Sequence, residues 1–503
     1  YTTNSDMLTL LAKRVKEYNM EFSEWEEKVS NISRKYSHFD LWTSYQNVRE
    51  YILDSLRVKS HGFYPLIHFE MPKPKWVKEQ GKGRVCTEKK RNIFYAAHID
   101  SWIYRYYAYR INEAYNRYAS QIDIDHVSVA YRNNKPGENN ISFANNAFSF
   151  IKDRQRNNEK VYVIIGDFTD FFDSLNHKCL KERLQLVLNQ DRLSDDIYAV
   201  FKNITRATYV ELNDILDWHK LDHTDKSRRI INKDTFNCGR ILDVKELGCD
   251  KVKIHKDNCN VGVAQGTPIS AVLSNIYMIH FDKKLTEIAR LVNGFYQRYS
   301  DDFIFIFSDD ENQYGIKDII NRIRECVDNA EGLILKDEKR QIFEVADNIV
   351  TNITDSFLVG SNSHTHNHES TLINYLGFSF DGERISVRAK TLSRYFSKMT
   401  ISAHAISRQN GVTHPKRGKS VSKRIPLYKV FDRFTYKGTK SYRRRHSQKK
   451  HVSIITCNNG NFHDYISHAQ HIFRDDSHIS HVTQKSIVYL RRRLRKKFNN
   501  SND

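Results

Sequence analysis

Acidic residues are nearly missing from one end of this chain. Between Lys390 and Asp503 there are 26 Lys and Arg against 5 Asp and Glu, a surplus of 21 positive charges in a chain whose whole formal charge is +20. The other 389 residues are therefore close to neutral. A field so concentrated points to a polyanionic partner. Nucleic acid fits it better than a membrane surface, because no amphipathic anchor accompanies the charge. Cysteine is scarce too: there are seven, an odd and scattered number, which excludes a disulfide framework and suits a reducing cytoplasm. No run of about 18 apolar residues and no signal-peptide pattern is visible, so no membrane span is expected. Seven prolines and 19 glycines exclude fibrous and low-complexity classes. Aromatic residues are what the chain has in plenty, with 28 Tyr and 28 Phe carrying much of the burial in a sequence only 39% apolar. Its 503 residues suit roughly two to four domains.

Along the chain, residues 1 to 60 read as amphipathic helices, and Pro65, Pro72, Pro74, Gly81 and Gly83 punctuate a loop or short-strand region. Residues 98–121 form one aromatic-rich helical pattern, with a second at 141–156. At Val161 the pattern becomes the β-branched run Val161-Tyr162-Val163-Ile164-Ile165, a buried strand. Helices are predicted at 176–190, 194–207, 269–292 and 315–330, with a polar insertion at 213–260. Phe295–Tyr299 and Phe303–Phe307 read as a hairpin, and Gly332–Leu335, Gln341–Glu344 and Asn374–Phe380 as strands. Uneven alternation of this kind suggests an α+β fold.

Chemistry concentrates at three places. The hairpin Arg298-Tyr299-Ser300-Asp301-Asp302-Phe303 sets two adjacent acids between apolar strands, a costly place for charge unless it is used or paired. In Ile165-Gly166-Asp167-Phe168-Thr169-Asp170-Phe171-Phe172 an acid directly follows a buried strand. In Gln265-Gly266-Thr267-Pro268-Ile269-Ser270 a turn opens an apolar helix. Each has a plain reading as a turn, cap or loop-to-helix junction. Jointly, carboxylates at Asp167, Asp301 and Asp302 suit Mg²⁺, and a pair of such ions can clamp the attacking and leaving oxygens of phosphoryl transfer.

In order and spacing these motifs resemble reverse transcriptases: Tyr299–Asp302 as Tyr-x-Asp-Asp, with Asp167–Phe172, Gln265–Ser270, Gly332-Leu333 with Lys339, Asn374–Phe378, and Val129-Ala130-Tyr131-Arg132 upstream. The resemblance covers about 85–385 and implies a right-hand polymerase whose palm carries an antiparallel sheet. Its parts would be an N-terminal helical extension (1–60), fingers (61–160), palm (161–345), a palm–thumb connection (346–389) and a basic, mainly helical thumb and C-terminal region (390–503). It implies that Asp167, Asp301, Asp302 and the Phe168 carbonyl hold two Mg²⁺, with Mn²⁺ as a substitute. Phe172 would exclude a nucleotide 2′-hydroxyl. Gln265 and Gly266 would meet the incoming nucleotide, Arg91, Arg132 and Lys339 its triphosphate, and Leu376 and Gly377 the primer end.

No maturase, nuclease, integrase or retron thumb signature is visible. The layout therefore resembles bacterial defence-associated and abortive-infection reverse transcriptases, relatives of retron and group II intron enzymes. That implies an RNA template or dedicated non-coding RNA, dNTPs and a DNA product, and leaves a homo-oligomer open. Arg443-Arg444-Arg445 and Arg491-Arg492-Arg493, interleaved with aromatics, are the candidate nucleic-acid contacts. Two other readings stay open: template-independent or protein-primed DNA synthesis on the same fold, and a catalytically silent RNA-binding scaffold. A zinc site from His219, His223, Cys238, Cys249, His255 and Cys259 lacks the close ligand pairs of structural zinc modules.

Overall fold

The computed structural model describes residues 22–32, 36–79, 83–220, 252–309, 314–335, 340–357, 372–409, 427–439, 460–474 and 481–499, with a few short stretches between them. Helix α1 (Tyr45–Leu53) opens the larger core, and two long strands follow, β1 (Leu66–Glu79) and β2 (Gly83–Tyr95). They pair antiparallel along their whole length, from Ile67 opposite Tyr95 to Glu79 opposite Gly83. The expectation of a broken loop region at Pro72 and Pro74 is thus corrected. β1 takes a second neighbour, β4 (Thr208–Glu211), only at Leu66–His68, so both prolines sit where β1 is an edge and a missing N–H costs no ladder bond. β5 (His255–Lys256) completes this four-stranded sheet.

Helices α2 (His98–Gln121) and α3 (Asn140–Arg156) lead into β3 (Val161–Asp167). Then come α4 (His177–Leu188) and α5 (Asp195–Thr205). The single helix expected over 269–292 is two, α6 (Ser270–Tyr277) and α7 (Ile279–Leu291), broken at Met278. The hairpin β6 (Phe295–Tyr299) and β7 (Asp302–Ser308), helix α8 (Ile316–Asp328), and strands β8 (Gln341–Ala346) and β9 (Ile349–Asn352) complete the centre. Its sheet runs β6-β7-β3-β8-β9, antiparallel throughout.

Both faces of this sheet are covered, which is why its strands read as continuous apolar runs. Alternation sorts them: Val161, Val163, Ile165, Ile304 and Ile306 enter one core, and Tyr162, Ile164, Phe303, Phe305 and Phe307 the other. The ring-rich core receives α1, α2, α4, α5, α6, α7 and α8, so the N-terminal helices that are described pack into the main body.

The aliphatic core is closed by α3 and a small sheet of β10 (Ile373–Tyr375), β11 (Phe378–Phe380) and β12 (Ile385–Val387). The expected strand over Asn374–Phe380 is therefore a hairpin. It reverses at Leu376 (φ +45°) and Gly377 (φ +95°), the two-residue turn with positive φ that suits strand twist. Beyond it lie α9 (Ala389–Gln409), α10 (Leu427–Phe434), the strand pair β13 (Arg443–Arg445) and β14 (Ile454–Thr456), α11 (Phe462–Phe473) and α12 (Ser486–Asn499). Tyr395, Met399, Val430, Phe434, Leu490 and Leu494 join α9, α10 and α12 in a separate cluster. Helix α11 behaves differently. Ile466, Ala469 and Phe473 enter the aliphatic core beneath the central sheet, so the basic region does not separate at residue 390.

No helix among the described residues is long and apolar enough to cross a membrane. Residues 221–247 and 249–251, with His223, Cys238 and Cys249, lie outside the described residues, as does Lys339.

Candidate active site

Asp167 ends β3 and Asp302 begins β7, and the two are direct cross-strand partners. Asp301 precedes Asp302 in the hairpin turn, and its carbonyl accepts the Phe168 N–H at 3.2 Å. Three acids distant in sequence thus leave one edge of one sheet. Gly166, just before Asp167, allows this closeness: a Cβ there would run into the Phe303 ring and the Leu335 side chain. Among the described residues no three His, Cys, Asp or Glu side chains close into a preformed cage for a metal. Mg²⁺ does not require one, since it takes one or two carboxylates and completes its shell with water and substrate phosphates. The donor set here, hard carboxylate oxygens on a rigid edge, fits that ion.

The hairpin tip is held from below. Ser300 sits in the left-handed region at φ +62°, a strain on the order of 1 kcal/mol for a residue with a Cβ. The Arg298 guanidinium, fully enclosed, donates to the Ser300 carbonyl at 2.8 Å and fixes that bend. It also forks onto Asp282 of α7, Nε to Oδ1 at 2.7 Å and Nη2 to Oδ2 at 2.6 Å, and reaches the Ser128 hydroxyl at 3.0 Å. Tyr296 donates its hydroxyl to Asp282 at 2.7 Å. Burial pushes that phenol far above its ordinary range, and Asp282 adds to the shift. The sequence marked Arg298 as part of the hairpin without giving it work; the charge on an otherwise apolar strand was the available signal. The segment Val127–Ala130 lies against β6 through Arg298 N–H to Val127 O at 2.8 Å and Val129 N–H to Arg298 O at 3.0 Å. It leaves Tyr131 exposed, its ring 6.4 Å from that of Tyr299.

The nucleotide-side candidates converge as well. Phe172 is half-buried, its ring edge-on to Phe171 at 5.5 Å, and its carbonyl accepts the Val263 N–H at 2.9 Å. That bond ties the Asp167–Phe172 segment to the strap carrying Gln265. On the other side, the Gln265 carbonyl accepts the Phe94 N–H of β2 at 2.8 Å. Gly266 has φ +115°, and a Cβ there would lie 2.5 Å from the Phe94 carbonyl oxygen, so only glycine lets strap and hairpin meet. Ser270 donates to the Ala264 carbonyl at 2.7 Å and holds Thr267 at 2.6 Å, closing the turn. Gly332 (φ +73°) and Ile334 form a turn beside this segment rather than a strand, with Thr169 N–H donating to Ile334 O at 2.9 Å. Arg91 is exposed on β2, opposite Met71 and three residues before Phe94.

Arg132 is placed differently from its expectation as a triphosphate contact. Its side chain is enclosed, bound to Asp125, to Asn116 Oδ1 at 2.6 Å and to the Ser128 carbonyl at 3.0 Å, with Tyr115 beneath it at 4.8 Å. These bonds brace the Val129–Arg132 segment. Arg443–Arg445 lie in β13. Arg491 and Arg492 are exposed in the middle of α12, while Arg493 donates to the Tyr489 hydroxyl at 3.1 Å.

Leu376 and Gly377 stand at the β10–β11 turn, where sequence reasoning missed the supports. Asn140 Nδ2 donates to the Leu376 carbonyl at 3.0 Å and to the Tyr465 hydroxyl at 2.9 Å, and Tyr465 stacks on Phe378 at 6.0 Å. Tyr375, buried in the same hairpin, has its phenol pushed well above the ordinary range, by burial first and by the charge of Asp302 second, which brings this turn to the carboxylates.

A search of curated proteins finds no match to the chain. Among solved structures, apo telomerase from Candida tropicalis truncated from its C-terminal domain is similar at 13% identity and a TM-score of 0.38, over 64% of this chain and 57% of that one. Telomerase from Candida albicans with the TWJ fragment of telomeric RNA is similar at 11% identity and a TM-score of 0.34, over 71% and 53%. The chain spans less than two thirds of the length of these structures. The family model described as reverse transcriptase (RNA-dependent DNA polymerase) matches residues 103–380, more than half of the chain. That span holds the three carboxylates, the Gln265–Ser270 strap and the Leu376-Gly377 turn, and the chain belongs to the reverse transcriptase family.

Proposed function

We propose that this chain extends a primer with deoxynucleotides copied from an RNA template. The observation that carries the reading is the pairing of Asp167 with Asp302 across β3 and β7, with Asp301 bonded through its carbonyl to Phe168. Asp167 and Asp301, with Asp302 and the Phe168 carbonyl beside them, would hold two Mg²⁺. When bound, these would acidify the primer 3′-hydroxyl and neutralise charge on the departing pyrophosphate. The protein's own share is placement. The central sheet serves as palm, β1 and β2 as fingers, and α9, α10 and α12 as thumb. The Gln265-Gly266 strap seats the incoming nucleotide against Phe172, whose ring fills the space of a 2′-hydroxyl. The Leu376-Gly377 turn, held by Asn140, carries the primer end. Exposed Arg491 and Arg492, and the surplus of positive charge around them, suit a structured RNA partner.

The test is extension of a DNA primer on RNA with each dNTP and rNTP set, with and without Mg²⁺. Deoxynucleotide addition is expected, falling roughly a thousandfold in Asp167→Asn and Asp301→Asn, since the metal clamp supplies several kcal/mol of transition-state stabilisation. Products made of ribonucleotides alone, or full activity in Asp167→Asn, would overturn the reading. Sequencing the co-purified RNA beside the product DNA separates templated copying from untemplated or protein-primed synthesis. The layout also favours antiphage defence with a dedicated non-coding RNA, tested by whether expression lowers phage plating and Asp301→Asn abolishes that effect.

A further inference from the structure

Tyr131 combines two features that rarely meet in one residue. It is 46% exposed, and its backbone sits in the left-handed region at φ +61°. A bulky side chain is an outlier there, because its Cβ crowds the backbone; glycine or asparagine is the ordinary occupant. Buried side chains impose this conformation from both sides. Asn275 of α6 donates Nδ2 to the Ala130 carbonyl at 2.8 Å, and Asn112 of α2 donates Nδ2 to the Tyr131 carbonyl at 2.9 Å. Both amides are buried, and between them they grip the peptide groups before and after Tyr131. The Arg132 guanidinium ties the next residue to Asp125, Asn116 and Ser128. Asn275 Oδ1 also accepts from Arg298 Nη1 at 3.3 Å, the guanidinium that holds the Ser300 bend. One buried network therefore fixes two left-handed residues, Ser300 in the turn of the carboxylate hairpin and Tyr131 beside it.

A strained residue that its surroundings over-determine is characteristic of a working site. What this ring works on follows from its neighbours. It lies 6.4 Å from the ring of Tyr299, two residues before Asp301, and Phe143 lies 6.2 Å from Tyr299. Phe143 stands on α3 one turn after Asn140, whose Nδ2 holds the Leu376 carbonyl at 3.0 Å. Tyr131 is thus linked through Tyr299 and α3 to the turn assigned to the primer end. A primer whose 3′-hydroxyl reaches Asp301 brings its last base pair within a nucleotide's dimensions of this ring. An open aromatic ring stacks on any base, since every base has a π-face. We propose that Tyr131 grips the end of the primer–template duplex, its ring stacked on the terminal base of one strand, which holds the primer end in line with Asp301. This assignment rests on the polymerase reading. The base can come from the template or from the primer, because the two offer the same face.

The experiment measures binding of a fluorescein-labelled RNA template annealed to a DNA primer, by anisotropy on the full chain with no nucleotide present. Thermal unfolding and primer extension are followed in parallel. Tyr131→Gly should weaken binding by roughly 5- to 100-fold, the scale of one lost base–aromatic stack. It should melt at or above the native temperature, because glycine adopts this φ without strain. Tyr131→Asn, which also tolerates the left-handed region, should lose the same affinity and keeps the test open if the glycine variant fails to fold. Tyr131→Phe keeps the ring and should recover most of the loss. Two further duplexes carry an abasic site, one in the template opposite the primer end and one at the primer end itself. The gap between native chain and Tyr131→Gly should close on one of them, and that duplex names the strand the ring stacks on. Equal affinity of the native chain and a folded Tyr131→Gly would overturn the proposal, and with extension intact it would spare the polymerase reading. A gap that stays full on both abasic duplexes would overturn it as well. Ring-dependent binding without any primer extension would keep the grip and count against the polymerase.

Discussion

Arg298→Met should damage both the fold and the site, and a second substitution should separate the two. In the native chain the Arg298–Asp282 pair is wholly enclosed, with both side chains 0% exposed. Removing the guanidinium leaves the Asp282 carboxylate with the Tyr296 hydroxyl at 2.7 Å and no countercharge from Arg298. Breaking a buried pair in this way costs about 3–5 kcal/mol, against about 0–1 kcal/mol for an exposed pair such as Lys28–Glu24. Each kcal/mol moves a thermal midpoint by about 2–4 °C in a domain of moderate size, so a fall of roughly 6–20 °C is expected. Removing both charges, in Arg298→Met with Asp282→Leu, takes away the stranded carboxylate and should recover most of that loss. Activity should stay low in the double variant, because nothing then grips the Ser300 carbonyl that Arg298 holds at 2.8 Å. Thermal unfolding read beside primer extension decides it. A single variant losing under about 1 kcal/mol, or a double variant that regains extension along with stability, would refute the reasoning.

Gly266→Ala should abolish extension while the chain still folds, because its Cβ would press on the Phe94 carbonyl at 2.5 Å and φ is +115°; near-normal extension by a folded variant would count against the strap. Phe172→Ala should admit ribonucleotides, raising their use relative to dNTPs by about tenfold or more on the scale of one lost packing contact, as competition between labelled nucleotides would read; unchanged selectivity places the ring in packing alone. His38 is buried neutral, with Nδ1 accepting the Phe39 N–H at 2.8 Å and Nε2 3.3 Å from the Tyr95 carbonyl, and burial brings its pKa down to about 3. The unfolded chain binds that proton near pH 6.5, so the contribution is complete above about 6.5 and is lost as pH falls toward 3, at about 1.4 kcal/mol per unit. Melting followed from about pH 7.5 to 5 should show this decline, and His38→Gln should flatten part of it. A wild-type midpoint that does not move over that range would contradict the assignment.

Periodicity was enough to read α2, α3, β3 and the β6–β7 hairpin, because their neighbours impose one burial pattern along their whole length. Where a tertiary partner sets the local structure, the sequence misleads. Pro72 and Pro74 look like strand breakers until β1 is known to be an edge at those residues. Leu376 looks like the middle of a strand until its positive φ is seen. The carboxylates were legible because chemistry fixes residue type and spacing together. Their supports were not. Asp282, Asn140 and Tyr465 are ordinary helix residues whose roles exist only once distant elements meet, and Arg132 shows that a motif arginine can spend its charge on bracing.

The place of α11 in the core has a consequence for how the molecule comes into being. Ile466, Ala469 and Phe473 cover a face of the sheet that carries Asp167 and Asp302, and Tyr465 shares Asn140 with the Leu376 turn. A chain still on the ribosome, or cut short before Phe462, would hold Asp167, Asp301 and Asp302 and yet leave that face bare to water. The carboxylates are thus made early, and the core beneath them closes only once residues 462–473 have been added.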